Sequence, residues 1–110
     1  MKVADIILQQ LGGNKFIAMT GSKNFLSDGN TLRMTLAKNA SKANRLWITL
    51  NGDDTYTMRF FRYTAPSYKI KNGGFYTYPE KIVEVKTYEH IYCDQLQELF
   101  TEVTHMYTHL

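Results

Sequence analysis

The sequence predicts a single α+β domain, with an N-terminal helix, an antiparallel meander of about five or six strands, and a C-terminal helix packed on one sheet face. Three observations carry this expectation. Apolar residues recur at helical spacing near both ends, they alternate with polar residues in the middle, and turn-forming clusters separate the alternating runs. At 110 residues, the chain is one domain, spanning 1–110. Its 44% apolar content suffices for one core, and 14% aromatics with only two prolines exclude a disordered chain.

Val3, Ile6, Ile7, Leu8 and Leu11 lie on one helical face, and Gly12-Gly13-Asn14 ends that helix because these residues tolerate a left-handed cap. The short apolar run 16–20 reads as a first strand, and 21–27 as irregular chain. Asp28-Gly29-Asn30 forms a tight turn. Next, Leu32, Met34 and Leu36 alternate with Thr31, Arg33 and Thr35, as in a half-buried strand. A polar loop over 39–44 precedes a second such strand, in which Leu46, Ile48 and Leu50 alternate with Arg45, Trp47 and Thr49. Asn51-Gly52-Asp53-Asp54 is a strong hairpin signal. The return strand, about 55–63, has Tyr56, Met58 and Phe60 on one face and Thr57, Arg59 and Phe61 on the other. Ala65-Pro66 breaks it. A short strand at 68–71, a turn at Asn72-Gly73-Gly74 and a last strand at about 81–88 follow, the last with Val83 and Val85 on one side. Leu96, Leu99, Phe100, Val103 and Tyr107 form the stripe of the closing helix, with Gln95, Glu98 and Glu102 outward. Asp94 sits at its favourable N-terminal end.

No stretch approaches the roughly 20 apolar residues of a membrane span. The first ten residues lack signal-peptide shape, because Asp5 and two glutamines interrupt a short apolar run. The single cysteine, Cys93, cannot close an internal disulfide. A cytoplasmic protein with no membrane contact is therefore expected.

Net charge is +3, but it is unevenly distributed. Between residues 30 and 79 stand Arg33, Lys38, Lys42, Arg45, Arg59, Arg62, Lys69 and Lys71, opposed only by Asp53 and Asp54, for a segment charge of +6. From Glu80 onward, six acids against Lys81 and Lys86 give −4. If the apolar residues of the three alternating strands face the helices, the opposite face holds Arg33, Trp47, Thr49, Arg59 and Phe61. Lys69 and Lys71 extend it. Arg33, Trp47, Arg59, Phe61, Lys69 and Lys71 are thus the candidate binding residues. Cations neutralise phosphates, and rings stack bases for about 1–3 kcal/mol each. The same side chains suit a protein interface, where Trp, Tyr and Arg are common anchors. The plain alternative is that Trp, Phe, Thr and Tyr are simply good strand formers.

Catalytic constellations are not apparent. His105 and His109 share a helical face, but Met106 stands where an HExxH site needs its glutamate. Cys93 near His90 lacks an orienting third group, and Asp53-Asp54 reads as turn chemistry. There is no phosphate loop, no GxSxG and no established nucleic-acid motif. A non-enzymatic protein without cofactor or metal is expected.

Two stretches carry a resemblance. One runs Ile7-Leu8-Gln9-Gln10-Leu11-Gly12-Gly13-Asn14-Lys15-Phe16-Ile17-Ala18-Met19-Thr20-Gly21, followed by Lys23-Asn24-Phe25. The other runs Asp94-Gln95-Leu96-Gln97-Glu98-Leu99-Phe100-Thr101-Glu102-Val103-Thr104, ending in Tyr107-Thr108, with Ile48-Thr49-Leu50-Asn51 between the two. Together they resemble a family of small bacteriophage and integrative mobile-element proteins. The resemblance implies an accessory protein in a bacterial cytoplasm and supplies no catalytic residues. Its expected partner is nucleic acid or a nucleic-acid-handling protein. Alternatives are an inhibitor of a host defence nuclease, of anti-CRISPR or anti-restriction type, and a phage assembly component that self-associates through an exposed sheet edge.

Overall fold

The computed structural model describes residues 2–108. It has helix α1 (Val3–Leu11), helix α2 (Asn14–Thr20), seven strands and a closing helix α3 (Leu96–Thr104), preceded by a single 3₁₀ turn (Cys93–Gln95). Strands β1 (Lys23–Asp28), β2 (Thr31–Thr35), β3 (Arg45–Leu50), β4 (Tyr56–Thr64) and β7 (Lys81–Ile91) form one antiparallel sheet in the order β1-β2-β3-β4-β7. Strands β5 (Ser67–Lys71) and β6 (Gly74–Tyr78) form a separate two-stranded sheet inserted between β4 and β7. The α+β architecture expected from the sequence is the one found. No described helix is long and apolar enough to cross a membrane.

Strand parity is as the alternation dictates. Leu32, Ile48 and Met58 stand in one cross-strand row, and Met34, Leu46 and Phe60 in the next; all six are buried against the helices. Ile7 and Leu11 of α1, and Leu96 and Phe100 of α3, complete the core. Phe100 is its hub. The ring meets Phe16 edge-on at 4.9 Å and tilts over Phe60 at 6.4 Å. The Gln97 amide donates to the Leu11 carbonyl at 2.8 Å, tying α3 to the C-terminal end of α1.

Several expectations are corrected. Residues 16–20 are helical, as α2, rather than a strand. Phe16 and Thr20 lie one turn apart and are both buried, and the Thr20 hydroxyl donates to the Phe16 carbonyl at 2.8 Å. Gly12 (φ 125°) and Gly13 (φ 60°) let the chain turn directly from one helix into the next. At Gly12 a Cβ would stand 3.2 Å from Phe16 Cβ and 3.1 Å from the Gln97 amide nitrogen. The segment read as irregular contains β1, an edge strand with a register shift between Lys23 and Leu26, where Asn24 takes φ 57°. Residues 74–78 form β6, which turns the short strand β5 into a hairpin. The last strand extends to Ile91. Val83 pairs with Arg62 and Val85 packs against the helix-side core, so both fall on one side as expected, although Val85 is an extra residue between Lys86 opposite Phe60 and Glu84 opposite Phe61. Helix α3 ends at Thr104, with His105 in the left-handed region (φ 61°), so Tyr107 lies beyond the helix and is exposed.

The β5–β6 hairpin projects as an arm. The radius of gyration is 16.0 Å, against about 13 Å for a globular domain of this size. The longest dimension is 55 Å. Both prolines, Pro66 and Pro79, flank the arm, where their missing N–H groups interrupt the ladder.

Because Phe100 joins both helix layers to the sheet, Phe100→Ala is expected to cost about 3–5 kcal/mol. Urea unfolding should show a lower midpoint at an unchanged slope.

Candidate binding face

The face of the sheet opposite the helices is built by register. Arg33 pairs with Trp47, and Trp47 with Arg59, so these three side chains stand side by side across β2, β3 and β4. One step along, Arg45 pairs with Phe61. The Arg33 guanidinium lies over the Trp47 ring at 4.1 Å, and that of Arg59 lies 4.3 Å from the Phe61 centroid and 5.4 Å from Trp47. Trp47 and Phe61 meet edge-to-face at 5.2 Å. Arg45 extends the stack over Tyr63 at 5.4 Å. The result is a ladder of alternating cations and rings.

Phe61 is only 3% exposed, yet it lies outside the core between sheet and helices. Its burial comes from this second, smaller cluster. Trp47 is half-buried in the same cluster. Exposed Leu26 and Ile82, paired with Arg33 and Tyr63 respectively, stand on the same face toward its two edges. Arg45, Trp47, Arg59, Phe61, Tyr63 and Ile82 enclose a recess of about 280 Å³.

Two arginines of the ladder are already paired. Arg59 holds Glu84 with Nε 2.9 and 3.1 Å from the two carboxylate oxygens, and its Nη2 donates to Oε1. These hydrogen bonds hold the Glu84 carboxyl below its ordinary range and raise Arg59, with burial opposing both shifts. Glu84 stands opposite Phe61, immediately before the extra residue Val85 shifts the register. Arg33 donates from Nη2 to Asp28. Its Nε is buried without an acceptor. Tyr63 donates to Glu80 at 3.1 Å, which raises the phenol. The face expected to be basic is thus largely charge-compensated. Thr31 and Thr49, hydrogen-bonded at 2.8 Å, continue it toward the β3–β4 turn.

The structure brings together four of the six sequence-predicted residues, Arg33, Trp47, Arg59 and Phe61. Lys69 stands apart on the arm, its Nζ 6.0 Å from the Tyr78 ring centroid. Lys71 closes β5 opposite Gly74, and its side chain lies outside the described residues. Sequence reasoning missed Arg45, Tyr63 and Glu84. The first two follow from the same alternation carried one residue pair further. Glu84 does not, because only the register of β7 on β4 brings it beside Arg59.

The other titratable groups have local duties. Asp53 accepts from the Thr55 N–H at 3.2 Å and from its hydroxyl at 2.6 Å, which holds the carboxyl below its ordinary range. Asp54 takes φ 65° in the same turn. His90 Nδ1 is 3.7 Å from Asp53. Cys93 is exposed in the 3₁₀ turn. His105 caps α3 rather than lying within it, and His109 lies outside the described residues. Among the described residues, no three His, Cys, Asp or Glu side chains converge as metal ligands would. No protein-family model, curated protein or solved structure matches this chain.

The folded state holds Glu84 below its unfolded value. The pair's contribution is therefore present above the unfolded glutamate range and is lost as pH falls through the folded value. Both groups are partly exposed, so that contribution is under about 1 kcal/mol. Protonating Glu84 frees Arg59 beside Trp47. Tryptophan fluorescence is expected to show an acid transition below the ordinary glutamate range, and Glu84→Gln should abolish it.

Proposed function

We propose that this chain is a non-catalytic binding module that docks a partner protein on the uncovered face of its sheet. One observation carries the reading: Arg33, Trp47, Arg59 and Phe61 stack in alternation on a face that takes no part in the helix-packed core. Trp, Tyr and Arg dominate the binding energy of protein interfaces, because each offers large area with a directed polar group. Here the ladder holds them in place in advance, which lowers the ordering cost of association.

Charge favours a protein over a nucleic acid at this face. Arg33 and Arg59 are each committed to a carboxylate, and Glu80 adds a third acid beside Tyr63. Phosphate recognition wants cations unpaired. A charge-compensated aromatic face with a small recess suits a side chain or loop of another protein. The sequence resemblance favours a module from a bacterium carrying a phage or mobile element. The partner then belongs to the host's nucleic-acid-handling proteins, and occluding a defence nuclease by shape is one use of such a surface.

The test uses immobilised protein and nuclease-treated bacterial lysate, followed by affinity measurement with the protein retained. Trp47→Ala and Arg59→Ala are each expected to weaken binding by roughly 30-fold or more, the loss typical of an interface anchor above 2 kcal/mol. Hydrogen exchange should slow in β3 and β4 in the complex. Retention unchanged in both variants would remove the sheet face from the interaction.

A further inference from the structure

We infer a second binding site, for single-stranded nucleic acid, at the arm end of the molecule on the side of the sheet that carries the helices. Its residues are Lys38, Lys42, Arg62, Lys69 and Lys81, and none of them belongs to the ladder.

The 37–44 loop between β2 and β3 forms a recess of about 650 Å³ with Arg62 of β4. Lys38, Lys42 and Arg62 line it, with Leu36, Ala37 and Ala43 among its apolar residues, and no acid contributes. Among the described residues, none of the three cations has a carboxylate at salt-bridge distance. This sets them apart from Arg33 and Arg59. The loop is fixed by its own hydrogen bonds. The Asn39 amide donates to the carbonyls of Ala37 and Ala43, both at 2.8 Å, and its oxygen accepts from the Ser41 N–H at 3.0 Å. Asn44 exchanges two hydrogen bonds with the Tyr63 backbone, at 2.8 and 2.7 Å. Arg62 Nη1 donates to the Lys42 carbonyl at 2.9 Å, leaving its other donors for a ligand. Three cations are thus held on a rigid frame with no anion to satisfy them.

Alternation extends the track onto the arm. Thr64 follows Arg62 by two residues and pairs with Lys81, so both share Arg62's side of the sheet. Thr64 and Lys81 line a depression with Ser67, Lys69 and Tyr78, to which Glu80 also contributes. Lys69 pairs with Tyr76, and Ser67 with Tyr78, which places Lys69 and both rings on one arm face. Tyr76 and Tyr78 are each about half exposed, at 51% and 52%. Unpaired cations followed by open rings match what a single strand presents, a phosphate chain with unstacked bases. A duplex hides those bases, and an anionic membrane has none.

The charge layout of the molecule favours the same end. Register puts Asp28, Asp53, Asp54, Glu89 and Asp94 at or beside the opposite end, where Thr31, Thr49 and Thr57 align and Tyr56 meets Ile91. These five acids stand away from the arm, whereas Glu80 of the −4 segment lines the arm depression itself.

The experiment measures fluorescence polarisation of a labelled single-stranded oligodeoxynucleotide, its duplex, and anionic phospholipid vesicles, across a salt series. Salt-sensitive binding of the single strand is expected, tighter than to the duplex. Lys38→Glu with Lys42→Glu should weaken it by about tenfold or more. The same pair of changes should reduce the slope of log affinity against log salt by roughly 0.7 for each phosphate no longer neutralised. Lys69→Glu alone should weaken binding less, while Lys2→Glu with Lys15→Glu, an equal charge change elsewhere, should leave it largely intact. Trp47→Ala should not affect it, which separates this site from the sheet-face reading. Circular dichroism of each variant checks folding. Absence of binding at low salt, equal weakening in the Lys2/Lys15 variant, or preference for duplex or vesicles would each overturn the inference.

Discussion

Cross-strand register through β3 is the constraint on which the rest of the structure depends. Each residue of this central strand from Arg45 to Thr49 stands opposite one on β2 and one on β4, without a shift. That single alignment fixes two faces at once. Ile48 and Leu46 bring the rows that bury Leu32, Met34, Met58 and Phe60 under the helices, while Trp47 brings Arg33 and Arg59 together on the other side. A slip of one residue would exchange the two sets, placing guanidinium groups under Phe100 and leucines in water. The buried rows therefore hold the ladder in place, although the ladder contributes little to the core.

Most of this was readable from the residues, because period-two alternation over five or six positions is unambiguous when the apolar set is Leu, Met, Ile and Phe. Hence β2, β3, β4, their faces, and the grouping of Arg33, Trp47, Arg59 and Phe61 followed directly. The misreadings arose where local pattern underdetermines structure. Phe16-Ile17-Ala18-Met19 is short and apolar throughout, and only the burial of Phe16 with Thr20, one helical turn later, decides for α2. Lys23–Asp28 has no clean alternation, because its register shift breaks the period and an edge strand has less to bury. Glu84 stands on the side opposite Val83 and Val85, but its pairing with Arg59 depends on a β7 register that the sequence does not give. Lys69 does not join the ladder, because β5 and β6 form a separate sheet beyond Pro66.

The separation has a chemical logic. Arg33 and Arg59 on the flat face are compensated by Asp28 and Glu84, whereas Lys38, Lys42 and Arg62 have no carboxylate among the described residues at salt-bridge distance. One net basic chain thus offers two unlike surfaces, one suited to shape and one to charge. A partner carrying both protein and nucleic acid would engage them together, and two modest contacts would then act as one strong one through effective concentration.

The two prolines at the arm root have a further meaning for how this architecture tolerates change. Strand pairing does not pass from β4 and β7 into β5 and β6, and the described arm side chains from Tyr68 to Tyr78 contribute nothing to the buried core. The contacts that stabilise the fold and the arm residues Lys69, Tyr76 and Tyr78 are consequently encoded in different parts of the chain. The hairpin behaves as a cassette, which can be lengthened, recharged or exchanged for another while the scaffold continues to fold on its own contacts.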